Sequence, residues 1–207
     1  MDARQDELSN PFGMDEECRN CSALCETRTN VVHGYGDVGA DFLFVDERPG
    51  PGADAVGIPF LEDERPLFGV LERLGLCADG TADEPEVENV YLTYLTRCRH
   101  PERLPTDEEV ANCEPFLNAE IRMINPEILV PVGERALWEI ATEYTTEPAE
   151  KFDVYEDNGE EIRGRGFELV PMVPPDDGSP EAIEEFVESF SGLMGRDYRQ
   201  TKGRRSR

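Results

Sequence analysis

The chain has 207 residues, long enough for one good-sized hydrophobic core and most simply a single domain. It carries 46 acidic against 20 basic residues, a formal net charge of -26 and a pI near 4.3, and Lys151 and Lys202 are its only lysines. Disorder is the plain reading of such a balance, but apolar segments with clear periodicity recur throughout, so a folded protein with an acidic, lysine-poor surface suited to a high-salt cytoplasm is expected. No apolar run approaches 18 residues and residues 1–17 are acidic and polar, which predicts a soluble, cytoplasmic chain with no membrane partner. At about 1 M salt the Debye length is only about 3 Å, so acidity does not exclude nucleic acid as a partner.

In chain order, a C-x-x-C pair, Cys18 and Cys21, comes first, with Cys25 one further turn on. An apolar strand is predicted over 41–46 and a helix over 66–74, followed by Cys77, which reads as an ordinary core thiol. A second strand over 89–95 runs into Cys98. Thr106-Asp-Glu-Glu109 has the form of a helix N-cap with acidic residues in the first turn, so a helix over 106–124 would carry Cys113 on its second turn. A strand over 128–132 and a helix over 134–144 follow; 147–164 is charged and reads as a hairpin or loop; 167–173 is a strand; and 171–180 is rich in proline, aspartate and glycine. The last helix, 180–194, spaces Ile183, Phe186, Val187, Phe190 and Leu193 along one face. Beyond it Arg196, Arg199, Lys202, Arg204, Arg205 and Arg207 oppose Asp197 alone, a basic arm that is either a phosphate contact or a solvated terminus. Strands alternating with helices predict a mostly parallel sheet covered on both faces, and such sheets bind ligands beyond the carboxyl ends of their strands.

The four cysteines Cys18, Cys21, Cys98 and Cys113 would tie the amino-terminal segment to that edge. C-x-x-C places two thiolates on one turn of chain, and two distant cysteines complete a cage suited to zinc or to an iron-sulfur cluster. Spacing does not choose between the two, and Cys25 competes for the fourth place.

These pieces align with a known family. Cys18-x-x-Cys21, Leu24-Cys25-x-Thr27-Arg28, Val31-Val32-x-Gly34-x-Gly36, Asp46-Glu47-Arg48-Pro49-Gly50, Gly57-x-Pro59-Phe60, Val90-Tyr91-x-Thr93, Cys98-Arg99, Pro105-Thr106 and Cys113 together resemble the iron-sulfur, family 4 uracil-DNA glycosylases over about residues 16 to 175. The resemblance implies a three-layer α/β/α sandwich with a four-stranded, mostly parallel central sheet. It also implies a 4Fe-4S cluster on Cys18, Cys21, Cys98 and Cys113 with Cys25 left outside, DNA as partner and a monomeric enzyme. It divides the chain into an acidic segment 1–15, a glycosylase-like domain 16–195 and a basic tail 196–207. By the same likeness Glu47 orients water or stabilises a cationic sugar, Pro49 and Gly50 form the turn of that loop, and Phe60 stacks on the base.

Three positions depart from the family. Tyr94 stands where an asparagine reads the base edge, and a phenol cannot supply a carboxamide's paired donor and acceptor. Pro174 stands where a histidine assists the leaving base, and proline has neither donor nor charge. Arg48 is a bulky cation where a small residue lets backbone approach the base. His100, beside Cys98, reads as a surface histidine, and His33 has no evident role. The expected function is therefore excision of uracil or another damaged base, with a nucleic-acid binder or damage sensor that kept fold and cluster as the alternative.

Overall fold

A computed structural model describes residues 7–196, so the basic-arm residues beyond Arg196 lie outside the described residues. The sheet is built on three buried strands, β2 (Phe42–Asp46), β3 (Val90–Tyr94) and β4 (Ile128–Pro131). Their sequences are nearly continuous apolar runs because helices cover both faces. β2 lies between the other two and is parallel to both, with Phe42 opposite Val90 and Ile128, and Asp46 opposite Tyr94. A short strand, β6 (Glu168–Leu169), extends the parallel set beside β4.

The sheet has six strands rather than the expected four, in the order β1-β3-β2-β4-β6-β5. The two additions are two-residue antiparallel edges, β1 (Tyr35–Gly36) against β3 and β5 (Ile162–Arg163) against β6. Neither is long enough to show an alternating pattern. The strand expected over 167–173 shortens to two residues because Pro171 has no N–H for the ladder, although Met172 regains β4 through its N–H to the Pro131 carbonyl at 2.9 Å.

Side chains alternate across the sheet and divide the core into two layers. Phe42, Phe44 and Leu92 face α3 (Pro66–Arg73) and α6 (Pro180–Met194), where Phe42 meets Phe190 edge-on at 5.2 Å. Leu43, Val45 and Leu129 face α4 (Asp107–Ile124) and α5 (Glu134–Tyr144). Two six-residue helices, α1 (Ser22–Thr27) and α2 (Pro51–Val56), and a 3-10 turn, Ala149–Lys151, complete the described elements. Among the described residues no helix is long and apolar enough to cross a membrane.

α4 begins as its sequence predicts. The Thr106 side chain accepts from the Glu109 N–H while the Glu109 carboxylate accepts from the Thr106 N–H, a reciprocal capping box. A buried ion pair then fixes α4 to β3: the Arg97 guanidinium meets the Glu120 carboxylate at 2.6 Å, and the same carboxylate accepts from Tyr91 and Thr93. These contacts hold both Cys98, just beyond β3, and Cys113, on α4, at the carboxyl edge of the sheet.

Candidate active site and cysteine cluster

A cavity of about 1100 Å³ opens at the carboxyl ends of β2, β3 and β4. It gathers every predicted base-site residue, Glu47, Arg48, Pro49, Gly50, Phe60 and Tyr94, together with Pro174. The parallel register sets Asp46 beside Tyr94, and beyond the strands the Thr96 N–H and hydroxyl donate to the Glu47 carbonyl at 3.1 and 3.2 Å. Glu47 is thus pinned by backbone while its carboxyl faces the cavity. Burial pushes that carboxyl up, and the nearby Arg135 and Arg48 charges pull it back down. Gly50 is needed for a steric reason, since a Cβ there would come within 2.3 Å of the Glu62 carboxylate, which accepts from the Gly52 and Ala53 N–H groups at the start of α2.

Tyr94 differs from the expectation. Its hydroxyl accepts the Phe60 N–H at 2.7 Å and its ring stacks on the Phe60 ring, centroids 5.0 Å apart and planes 27° apart. Both are buried, Tyr94 2% and Phe60 7% exposed. The phenol is therefore occupied by backbone rather than presented to a ligand edge, and one face of Phe60 is already covered. Phe60 has φ +60°, costly for a bulky residue, and the Tyr94 bond helps hold it there. Arg48 directs its guanidinium to the His100 carbonyl at 3.4 Å. His100 lies off the cavity, its Nδ1 accepting from the Glu102 N–H, and His33 is buried against Phe116 and the Asp15 carbonyl, where desolvation lowers its pKa to about 4.

The thiols of Cys18, Cys21, Cys98 and Cys113 stand close enough to influence one another's ionisation. Burial pushes Cys98 up to about 11 against the pull of Arg28, and it also raises Cys21 and Cys113. Arg28 donates to the Cys98 sulfur at 3.1 Å and Asn112 to the Cys21 sulfur at 3.6 Å, the N–H donors that metal-bound thiolates accept. Among the described residues no three His, Cys, Asp or Glu side chains close on one point that would hold a single ion. Four cysteine thiols are nevertheless a donor set of the kind that holds zinc or an iron-sulfur cluster. Cys25 turns its thiol to the Cys18 carbonyl at 3.6 Å, and Cys77 packs in the core.

The sequence profile of the uracil DNA glycosylase superfamily matches residues 33–178, which include the whole cavity loop, Phe60, Tyr94, Cys98, Cys113 and Pro174. The chain belongs to the uracil DNA glycosylase superfamily. It is similar to the type-4 uracil-DNA glycosylase of Thermotoga maritima, 36% identical over 60% of this chain and 62% of that one. The type-4 uracil-DNA glycosylase of Archaeoglobus fulgidus is also 36% identical, over 67% of this chain and 68% of its own. That of Sulfurisphaera tokodaii is 34% identical over 58% and 51%. The chain thus spans about half to two thirds of the length of these curated relatives.

The cavity lining of this superfamily member also includes residues to which the sequence alone gave no role, among them Asp46, Glu62, Leu104, Arg135 and Trp138. Asp46 stands in the run Asp46-Glu47-Arg48-Pro49-Gly50 that carries the resemblance, but without a role of its own. Its carboxyl lies near Gly133 and Pro174, for a Cβ on Gly133 would stand 3.9 Å from Asp46 Oδ1 and 3.2 Å from Pro174 Cγ. Burial, with Asp176 and Glu47 adding negative charge, pushes Asp46 up to about 7 against the Glu47 N–H and Arg48. Trp138 carried a signal, because it falls off the α5 stripe of Ala136, Leu137, Ile140 and Ala141 that enters the core. Glu62 lies nine and ten residues from the N–H groups it caps, and no local pattern announces it.

Proposed function

We infer that the protein is a DNA N-glycosylase that removes uracil or another damaged base, and that Cys18, Cys21, Cys98 and Cys113 hold a 4Fe-4S cluster. The observation that carries this reading is the convergence of the family's loop, Phe60 and Tyr94 on one cavity at the carboxyl edge of a parallel sheet. The target nucleotide leaves its stack at a cost of a few kcal/mol and its base enters the cavity. Water adds to the sugar carbon as the bond to the base nitrogen breaks; the electron pair leaves with the base, which takes up a proton, and the proton that the added water gives up passes to Glu47 or to solvent. Glu47 orients that water and offsets positive charge on the sugar, and Arg48 and Arg135 favour its ionised form. Asp46, exchanging a proton near neutrality, donates to the departing base where Pro174 has nothing to donate. A cluster held by Cys18, Cys21, Cys98 and Cys113 would cross-link the amino-terminal segment to the sheet edge and would offer one-electron chemistry there.

The Tyr94 ring over Phe60 favours a second reading, a binder that recognises DNA damage without turnover, because the stacking face is partly filled. One experiment separates the two. Brown, anaerobically purified protein is incubated in molar potassium chloride with oligonucleotides carrying uracil, hypoxanthine or oxidised bases, and abasic sites are counted. Abasic sites at any one base support the enzyme; binding with none at any base supports the sensor. About four irons per chain, lost when any one of the four cysteines becomes serine and kept in Cys25→Ser and Cys77→Ser, are expected. Stoichiometric zinc in a colourless protein contradicts the cluster.

A further inference from the structure

Among the described residues four large hydrophobic side chains are exposed, and two of them, Leu104 at 57% and Trp138 at 41%, line the mouth of the cavity. Trp138 is the only tryptophan in the chain and belongs to none of the core clusters. The two approach the mouth from different elements, Leu104 from the loop before α4 and Trp138 from the second turn of α5. Arg135, one turn before Trp138, donates to Asp107 at 2.7 Å, which fastens α5 to the first residue of α4, three places after Leu104. Arg103 forks onto the Glu109 carboxylate at 2.7 Å through each nitrogen and donates to the Leu104 carbonyl at 3.0 Å, so the loop is tied to the capping box. Two exposed apolar side chains on elements joined in this way offer the cavity lining an apolar surface that a ligand can cover.

The charges around the cavity decide what that ligand presents. Eight carboxylates and two guanidinium groups line it, and both guanidinium groups are engaged, Arg135 with Asp107 and Glu139 and Arg48 with the His100 carbonyl. Phosphate contacts, which dominate most nucleic-acid affinity, are unfavourable at such a mouth. The faces of bases carry no charge and suit an aromatic-aliphatic shelf.

We propose that Trp138 and Leu104 form a stacking subsite for a nucleobase next to the one that enters the cavity, so that a single strand is gripped by its bases rather than its phosphates. This rests on the glycosylase reading for the choice of a nucleic-acid strand as ligand; the exposed apolar side chains and the surrounding charge supply the preference for bases over phosphates.

The test uses full-length holoprotein in 2 M potassium chloride and a fluorescein-labelled thymine oligonucleotide carrying one tetrahydrofuran abasic site, which supplies neighbouring bases but none for the cavity. Saturable quenching of the single-tryptophan emission is expected, with anisotropy giving the same Kd. Trp138→Ala should raise that Kd by about 5- to 100-fold, and Trp138→Phe should restore most of the loss. Binding that leaves tryptophan emission unchanged, or a Trp138→Ala Kd within twofold of wild type, overturns the subsite. The glycosylase reading is scored separately by abasic-site formation from a uracil strand. Excision with silent tryptophan removes the subsite alone, quenching without excision of any base removes the enzyme alone, and absence of binding removes the subsite.

Discussion

On the proposed reading, Tyr94 and Asp46 are the single side chains that most shape the chemistry of the cavity. Because the Tyr94 ring lies on Phe60 and its hydroxyl takes the Phe60 N–H, Tyr94→Asn both clears a stacking face and returns a carboxamide to the strand end. Excision of uracil should rise at least tenfold in Tyr94→Asn under single-turnover conditions, at a stability cost of about 2 to 4 kcal/mol for the lost aromatic packing. Asp46 ties activity to pH. Its folded pKa, raised to about 7, means that proton donation is available below that value and fades as pH rises through it. Excision should therefore fall on the alkaline side, and Asp46→Asn, which keeps an N–H donor but does not titrate, should flatten that limb. The same shift costs stability: the native state holds this proton more tightly than the unfolded chain, so stability is fullest at acid pH and declines as pH rises from about 4 to about 7. At pH 8 Asp46→Asn should melt higher than wild type. A shift of this size corresponds to at most about 4 kcal/mol, and water reaching the cavity lowers it.

Helices and strands were legible wherever burial on one or both faces left a long pattern. The runs of β2, β3 and β4, the stripes of α5 and α6 and the capping box of α4 all lie where their sequences predict. What escaped is short or depends on distant partners: β1 and β5 have two residues each, and α2 starts against a carboxylate ten positions away. The cavity loop was readable by family likeness, but the packing of Tyr94 on Phe60 was not, because it depends on how a loop meets the end of a strand 34 residues away. The least visible device is the buried Arg97–Glu120 pair, since neither residue is apolar and both are almost wholly enclosed. Removing one partner strands a buried charge, so Glu120→Ala should cost about 3 to 5 kcal/mol in denaturant unfolding. Iron retention should fall with it, because that pair joins the elements bearing Cys98 and Cys113.

For the whole molecule the governing quantity is the net charge of -26. Among the described residues the ion pairs are few and mostly exposed, so the surplus carboxylates repel one another with little local relief. We therefore attribute to the fold a requirement for salt: the melting temperature should climb between 0.1 and 2 M potassium chloride as screening shortens. Equal melting temperatures at both ends would remove this account of the surface. The claim on which the functional reading depends is narrower, that Glu47 acts on the bond being broken rather than on binding. The direct measurement is a paired assay of wild type and Glu47→Gln in 2 M potassium chloride, following abasic-site formation and oligonucleotide affinity in the same samples. The account predicts that Glu47→Gln loses excision by a hundredfold or more, roughly the weight of one transition-state interaction, while its Kd stays within about twofold. Excision at the wild-type rate in Glu47→Gln would contradict it.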